Sequence, residues 1–213
     1  MIRDNALSVS GLLVNITGGP SIYPYQPKGY YAHLNFPKRT YKSDTKRENQ
    51  NRRGVYMHWQ RQFLHPMLRA FDAPSREECT VKRPISNTPL AALTLLNDPT
   101  FVEAAHIFAQ HIMQEHGHQG PFADHEKSDI TDERIRWAFT HALSRTPNKR
   151  EVELLRKLYE SQLAIYQGEP STAGELISIG LSDFPDSLDH VELAAWTSVA
   201  RAIFNLNETI TRN

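Results

Sequence analysis

The sequence holds a single cysteine, Cys79, among 213 residues. That excludes an intramolecular disulfide, a zinc ribbon and the Cys-x-x-Cys-His motif that attaches haem covalently. No run of about 20 apolar residues is present, so no membrane span is expected. There is no surplus of charge either, since 24 basic residues balance 24 acidic ones. A nucleic-acid-binding domain usually shows a basic excess, so nucleic acid is not expected as a partner. No Gly-x-Ser-x-Gly elbow, phosphate loop or Gly-x-Gly-x-x-Gly fingerprint occurs, which removes the commonest hydrolase and nucleotide-binding readings. No internal repeat or low-complexity tract breaks the chain. The opening "MIRDNALSVSGLL" carries an acid early and lacks a long apolar run, so it does not read as a signal peptide. With Met1 as the true start, the chain is expected in the cytoplasm.

What is present is an uneven chain. Its length suits one domain, 1–213, which can bury roughly 70% of its unfolded surface without staples. Residues 1–54 read as a short helix followed by an irregular strap, and residues 55–213 as a helical core. "GGPSIYPYQPKGYY", residues 18–31, concentrates glycine, proline and tyrosine and raises the question of whether it binds a ligand or straps a core. Short extended pieces are expected near Ser21–Tyr25 and at Tyr41 or Val55. The fold class expected is all-α, with about six to seven helices and a long irregular Pro/Tyr-rich N-terminal segment.

The first helix is read over Arg3–Leu13. Val55, Trp59, Phe63 and Met67 recur every four residues, which predicts helix from about Val55, with Pro66 ending or kinking it. Thr88-Pro89, Asp98-Pro99 and Thr146-Pro147 each place a capping oxygen before a proline, the signature of a helix start. "NTPLAALTLLNDPTF" therefore predicts one helix, a sharp corner and another helix. Thr131 is expected to open the next helix, and "KREVELLRKLYESQLAIYQ" the one after. The clearest pattern is "HVELAAWTSVARAIFNLNETI", where Trp196, Val199, Ile203, Leu206 and Ile210 alternate by three and four residues.

Chemistry-bearing residues are few. His106, His111 and His116 lie five apart, which does not align them on one helical face, and His116, His118 and His125 read as a solvated helix end and loop. No metal site is assigned. Cys79 reads as a buried or partly buried structural thiol rather than a nucleophile. The most site-like cluster joins Arg52, Arg53, Tyr56, Trp59, Asp72, Arg83 and Asn87. Arginines supply forked donors for carboxylate, sulfate or phosphate, and aromatic rings supply flat faces of the kind that stack on sugars. The same residues also fasten loops onto helices. No catalytic residue is assigned.

The blocks "IRDNALSVSGLL", "GGPSIYPYQPKG", "NRRGVYMHWQR", "FDAPSREECTVKRPISNTPLAALTLLNDPTFVEAA", "ERIRWAFTHALSRTPNKREVELL" and "ELAAWTSVARAIFNLNETITR" follow one another from Arg3 to Arg212. Together they resemble the first planctomycete-specific domain family, a C-terminal domain of unknown function in large cytochrome-c-like surface proteins. The resemblance implies an exported parent protein in the periplasm or at the cell surface, of which this chain is a fragment. Covalent haem c is implied only for the upstream region, and no cofactor for this chain. Upstream domains of the parent are the implied partners. Lectin-like modules inserted in some relatives add an anionic or sulfated glycan. Two function readings follow. One is a non-catalytic scaffold or binding domain. The other is a share in a polysaccharide-acting enzyme whose active site spans several domains, with Asp72 and the arginines as the local contribution. The family pattern Tyr-Arg-Arg-Ser-Leu-Tyr stands here as Asn51, Arg52, Arg53, Gly54, Val55 and Tyr56, and Ala91 replaces the usual glutamine.

Overall fold

A computed structural model describes residues 1–30, 41–60, 63–74, 76, 78–82, 88–115, 127–185 and 187–210. Among these the chain is all-α, with ten α-helices and no strand. In chain order they are α1 (Ile2–Val9), α2 (Arg47–Gln50), α3 (Pro66–Ala70), α4 (Pro89–Asn97), α5 (Pro99–Glu115), α6 (Lys127–Leu143), α7 (Lys149–Gly168), α8 (Pro170–Ile177), α9 (His190–Phe204) and α10 (Asn207–Ile210).

The number exceeds the expected six to seven for three reasons. The single turn α2 lies inside the polar run of the strap. Helix α8 was hidden by small residues, but Pro170 starts it and Ala173 and Ile177 face inward. The last expected helix divides in two at Asn205, whose N–H turns back to the carbonyls of Arg201 and Ala202, both at 3.1 Å. Ile203 O then accepts from Leu206 N at 3.2 Å and from the Thr209 hydroxyl at 2.7 Å, which ties the two pieces together.

Two of the three proline starts hold. Thr88 accepts from Ala91 N at 3.2 Å, with Pro89 in the first turn. Asp98 accepts from Thr100 N at 2.9 Å and makes the corner between α4 and α5. Thr146-Pro147 does not cap. Asn148 does, in a reciprocal box where Glu151 N donates to Asn148 Oδ1 at 2.9 Å and Asn148 N to Glu151 Oε2 at 2.7 Å. Helix α6 begins at Lys127, ahead of the expected Thr131.

The helix predicted from Val55 does not form. Gly54–Tyr56 makes one 3-10 turn and Val55 is 79% exposed. The next residues are extended because they pair with the strap. Ile22 N donates to Tyr56 O and His58 N to Ile22 O, each at 2.8 Å. Parallel bridges thus join Ile22 to Met57 and Val14 to Arg52. Pro66 opens a helix rather than ending one, with His65 as its cap.

Helix α9 is the axis of the core. Leu193, Ala194, Ala195, Trp196, Thr197, Val199, Ala200, Ile203 and Phe204 are all buried on it. It packs against α5, α7 and α8 most extensively. Helix α5 is its closest companion, and every residue from 101 to 110 is buried. A helix buried all round must satisfy its polar side chains inside the protein, and α5 carries Glu103, His106 and Gln110 in that stretch. The strap and the chain after α8 supply the partners.

Candidate functional site

Arg52 and Tyr56 come together, and they hold the strap. The Arg52 side chain is buried and its guanidinium donates to three strap carbonyls: Pro20 O at 2.9 Å, Ile16 O at 3.3 Å and Gly18 O. It lies 4.1 Å from the centre of the Tyr56 ring, and the Tyr56 hydroxyl accepts from Gly18 N at 2.8 Å. Gly18 and Gly19 make this turn possible, with φ of 82° and 86°. Beneath it, the buried Arg3 of α1 donates to the backbone of the same segment, to Arg52 O at 2.6 Å and to Gln50 O. Asp4 accepts from Gly54 N at 2.7 Å. The residues described within "GGPSIYPYQPKGYY" therefore form a strap bonded to α2, to α5 and to the segment from Arg52 to His58, and α1 in turn holds that segment.

Arg53, next in sequence, is exposed. Trp59 is half-buried and pairs with a residue the sequence did not single out: the exposed Arg76 places its guanidinium 4.0 Å over the centre of the indole. Asp72 and Arg76 both have left-handed backbones, with φ of 52° and 63°. Such conformations are uncommon outside glycine and concentrate where structure serves function. Arg83 and Asn87 lie outside the described residues, as do His116, His118 and His125. On the strap side of Trp59, Tyr23 stacks on His58 at 4.5 Å and 23°, and both rings are partly exposed. Tyr41 meets Tyr23 edge-on at 5.7 Å and donates its hydroxyl to Pro24 O at 2.7 Å. Of the predicted cluster the structure thus brings together Arg52 and Tyr56, whereas Trp59 pairs with Arg76 and Arg53 lies exposed.

Cys79 is exposed, contrary to the expected buried or partly buried thiol. Its neighbours Glu78, Thr80, Val81 and Lys82 are exposed too, so that loop offers no apolar cover.

The sequence reading missed a polar seam under the strap. Glu103, 1% exposed, accepts from the Tyr25 hydroxyl at 2.9 Å, from Leu181 N at 3.0 Å and from the Ser182 hydroxyl. One turn on, Gln110 bonds His106 Nε2 at 2.9 Å and donates to Asp183 O at 3.3 Å. His65 donates from Nε2 to Tyr25 O at 2.9 Å and accepts from Met67 N at Nδ1, 3.3 Å. The signal was a polar row, Thr100, Glu103, His106 and Gln110, at helical spacing on an otherwise apolar helix. Such a row is ordinarily read as the solvent face.

Burial pushes His65 and His106 down to about 4, and it pushes the Asp98 carboxyl up to about 6. The two histidines therefore bind protons more readily in the unfolded chain, between about 4 and the ordinary histidine value of about 6.5. Their contribution is whole above that value and is lost as pH falls towards 4. Asp98 acts oppositely, because the folded chain holds its proton more tightly between about 3.9 and 6, which favours the fold as pH falls. Two histidines outweigh one aspartate. From pH 7 to pH 4 these three groups should remove about 3 kcal/mol of stability. Denaturant midpoints across that range measure it, and replacing both histidines by glutamine should abolish the loss and leave the opposite trend that Asp98 supplies. An unchanged midpoint between pH 7 and 4 would contradict the assignment.

Among the described residues, no group of three or more His, Cys, Asp or Glu is placed to hold a metal ion. None of the described helices is long and apolar enough to cross a membrane. The geometry offers stacking faces and arginine forks on the outside, while Glu103 inside is engaged by three donors.

A family model, PSD1, described as a protein of unknown function (DUF1553), matches residues 1–159. No curated protein and no solved structure matches the chain.

Proposed function

The chain belongs to this family of unknown function, and on that premise we propose that it is a non-catalytic binding and scaffolding domain that contacts an anionic polysaccharide. The observation that carries the reading is the division of the arginine-aromatic cluster. Arg52 is closed inside the strap, whereas Arg53 and the stacked Trp59–Arg76 pair face outward. Arginine forks beside aromatic faces suit carboxylated or sulfated sugars. The parent in this reading is an exported protein whose haem-binding, cytochrome-c-like region lies upstream and is the domain's neighbour.

The test is retention on immobilised dextran sulfate against neutral dextran. The domain should be retained on the sulfated matrix, and Arg53→Ala should elute at lower salt. Equal behaviour on both matrices would end the reading. A second reading, a share in a polysaccharide-acting active site, draws on the left-handed backbone of Asp72. Turnover of an acidic glycan by the full-length protein, abolished by Asp72→Asn with the fold intact, would put it ahead.

A further inference from the structure

We propose that Arg76 occupies the seat of the sugar ring on Trp59 and that ligand binding displaces it, making Arg76 the residue that selects an anionic ligand. The inference rests on the polysaccharide reading and names the place of contact. A guanidinium 4.0 Å from the indole centre fills the stacking distance over that face. The indole is oriented for this role. Trp59 is only partly exposed, and its Nε1 is shielded from solvent and has no hydrogen-bond partner. Its polar edge is thus turned inward, leaving apolar ring surface as the exposed part. Arg76 is exposed, as are residues 78–82 after it, so its side chain lies at the surface and not in the core.

An exposed cation–π contact is weak, so the guanidinium is readily exchanged for a sugar face. Once released it stays tethered beside the seat, where its fork meets a sulfate or carboxylate on the incoming ring. A neutral sugar must displace the same guanidinium and gives it nothing to bond. Arg76 therefore opposes neutral ligands and favours anionic ones. This is discrimination by a competing contact as well as by an attractive one.

Calorimetric titration of the whole chain with dextran sulfate and with neutral dextran tests it. Arg76→Ala should bind dextran sulfate about tenfold more weakly and neutral dextran a few-fold more tightly, two changes of opposite sign. Arg76→Lys keeps the charge but not the planar fork and should fall between. Trp59→Ala should lose about tenfold for dextran sulfate. Should that variant unfold, Trp59→Phe keeps a ring and should lose only a few-fold. If the wild type binds dextran sulfate and the Arg76 and Trp59 variants bind it equally well, the seat is elsewhere, and this inference fails while the polysaccharide reading stands. If the wild type binds neither polymer, both fail.

Discussion

A chain that stops at Tyr159, where the family match ends, is expected to lose cooperative folding. Helix α9 lies beyond that point, yet it is the surface on which α5 and α7 pack. Leu193, Trp196, Val199, Ile203 and Phe204 are each essentially inaccessible to solvent. Fully burying side chains of this size contributes about 2 kcal/mol each, so their loss removes about 10 kcal/mol. That is comparable to the entire stability of an ordinary domain, about 5–15 kcal/mol. The truncation also uncovers Phe101, Phe108, Ile112 and Val152, which line the opposite side. The expected product keeps some helix by far-ultraviolet dichroism but has no near-ultraviolet signal, binds a hydrophobic dye and shows no sharp melt. A version ending at Ile210 should melt cooperatively. A sharp transition in the 159-residue form would mean that the first six helices and part of α7 close a core by themselves.

Among the described glycines, Gly180→Ala should be the most damaging added methyl. Gly180 has φ of 111°, a conformation that side chains rarely adopt. A Cβ there would stand 2.5 Å from Glu103 Cδ and 2.7 Å from both Cγ and Oε2. The glutamate has no free direction in which to retreat. Its carboxylate is held by Tyr25, Leu181 and Ser182, and its helix is packed on every side. Moving it breaks charged hydrogen bonds in a buried place. Backbone strain of about 1–3 kcal/mol and the loss of even one such bond, about 1.5–3 kcal/mol, give an expected cost of about 4 kcal/mol. Denaturant midpoints would report it. The same substitution in a Glu103→Ala background should cost only the backbone strain, because the colliding atoms are gone. A penalty near zero in the native background would show that the loop after α8 shifts freely and does not clamp the seam.

The sequence was most legible where one side of a helix meets water or where a cap has a fixed chemistry. Thr88-Pro89 and Asp98-Pro99 marked real starts, and the seam from Trp196 to Ile203 marked the central helix. Legibility failed where distant partners decided the outcome. Val55, Trp59, Phe63 and Met67 carry a helical period, but the backbone from Tyr56 to His58 is recruited by Ile22, more than thirty positions away, and spacing does not reveal such pairing. The buried row on α5 failed in the converse way. Glu103 and His106 look solvated until the strap and the chain near Ser182 cover them. In the candidate site, residue types were legible and their assignments were not. Arg52 and Arg53 read as one dibasic pair, although one faces inward and the other outward. Arg76 carried no local pattern to mark it.

The closed position of Arg52 has a consequence for how the protein responds to salt. Its guanidinium sits among carbonyl oxygens much as a hard cation sits in an oxygen cage, with backbone dipoles in place of hydration. Mobile ions screen exposed charges strongly and buried ones far less. Of the seven cations between Lys38 and Arg53, this one is beyond the reach of a counterion, while Arg53 is open to it. Raising ionic strength should therefore strip any anionic partner from the outer arginines without loosening the strap, so that attachment and integrity respond to different variables.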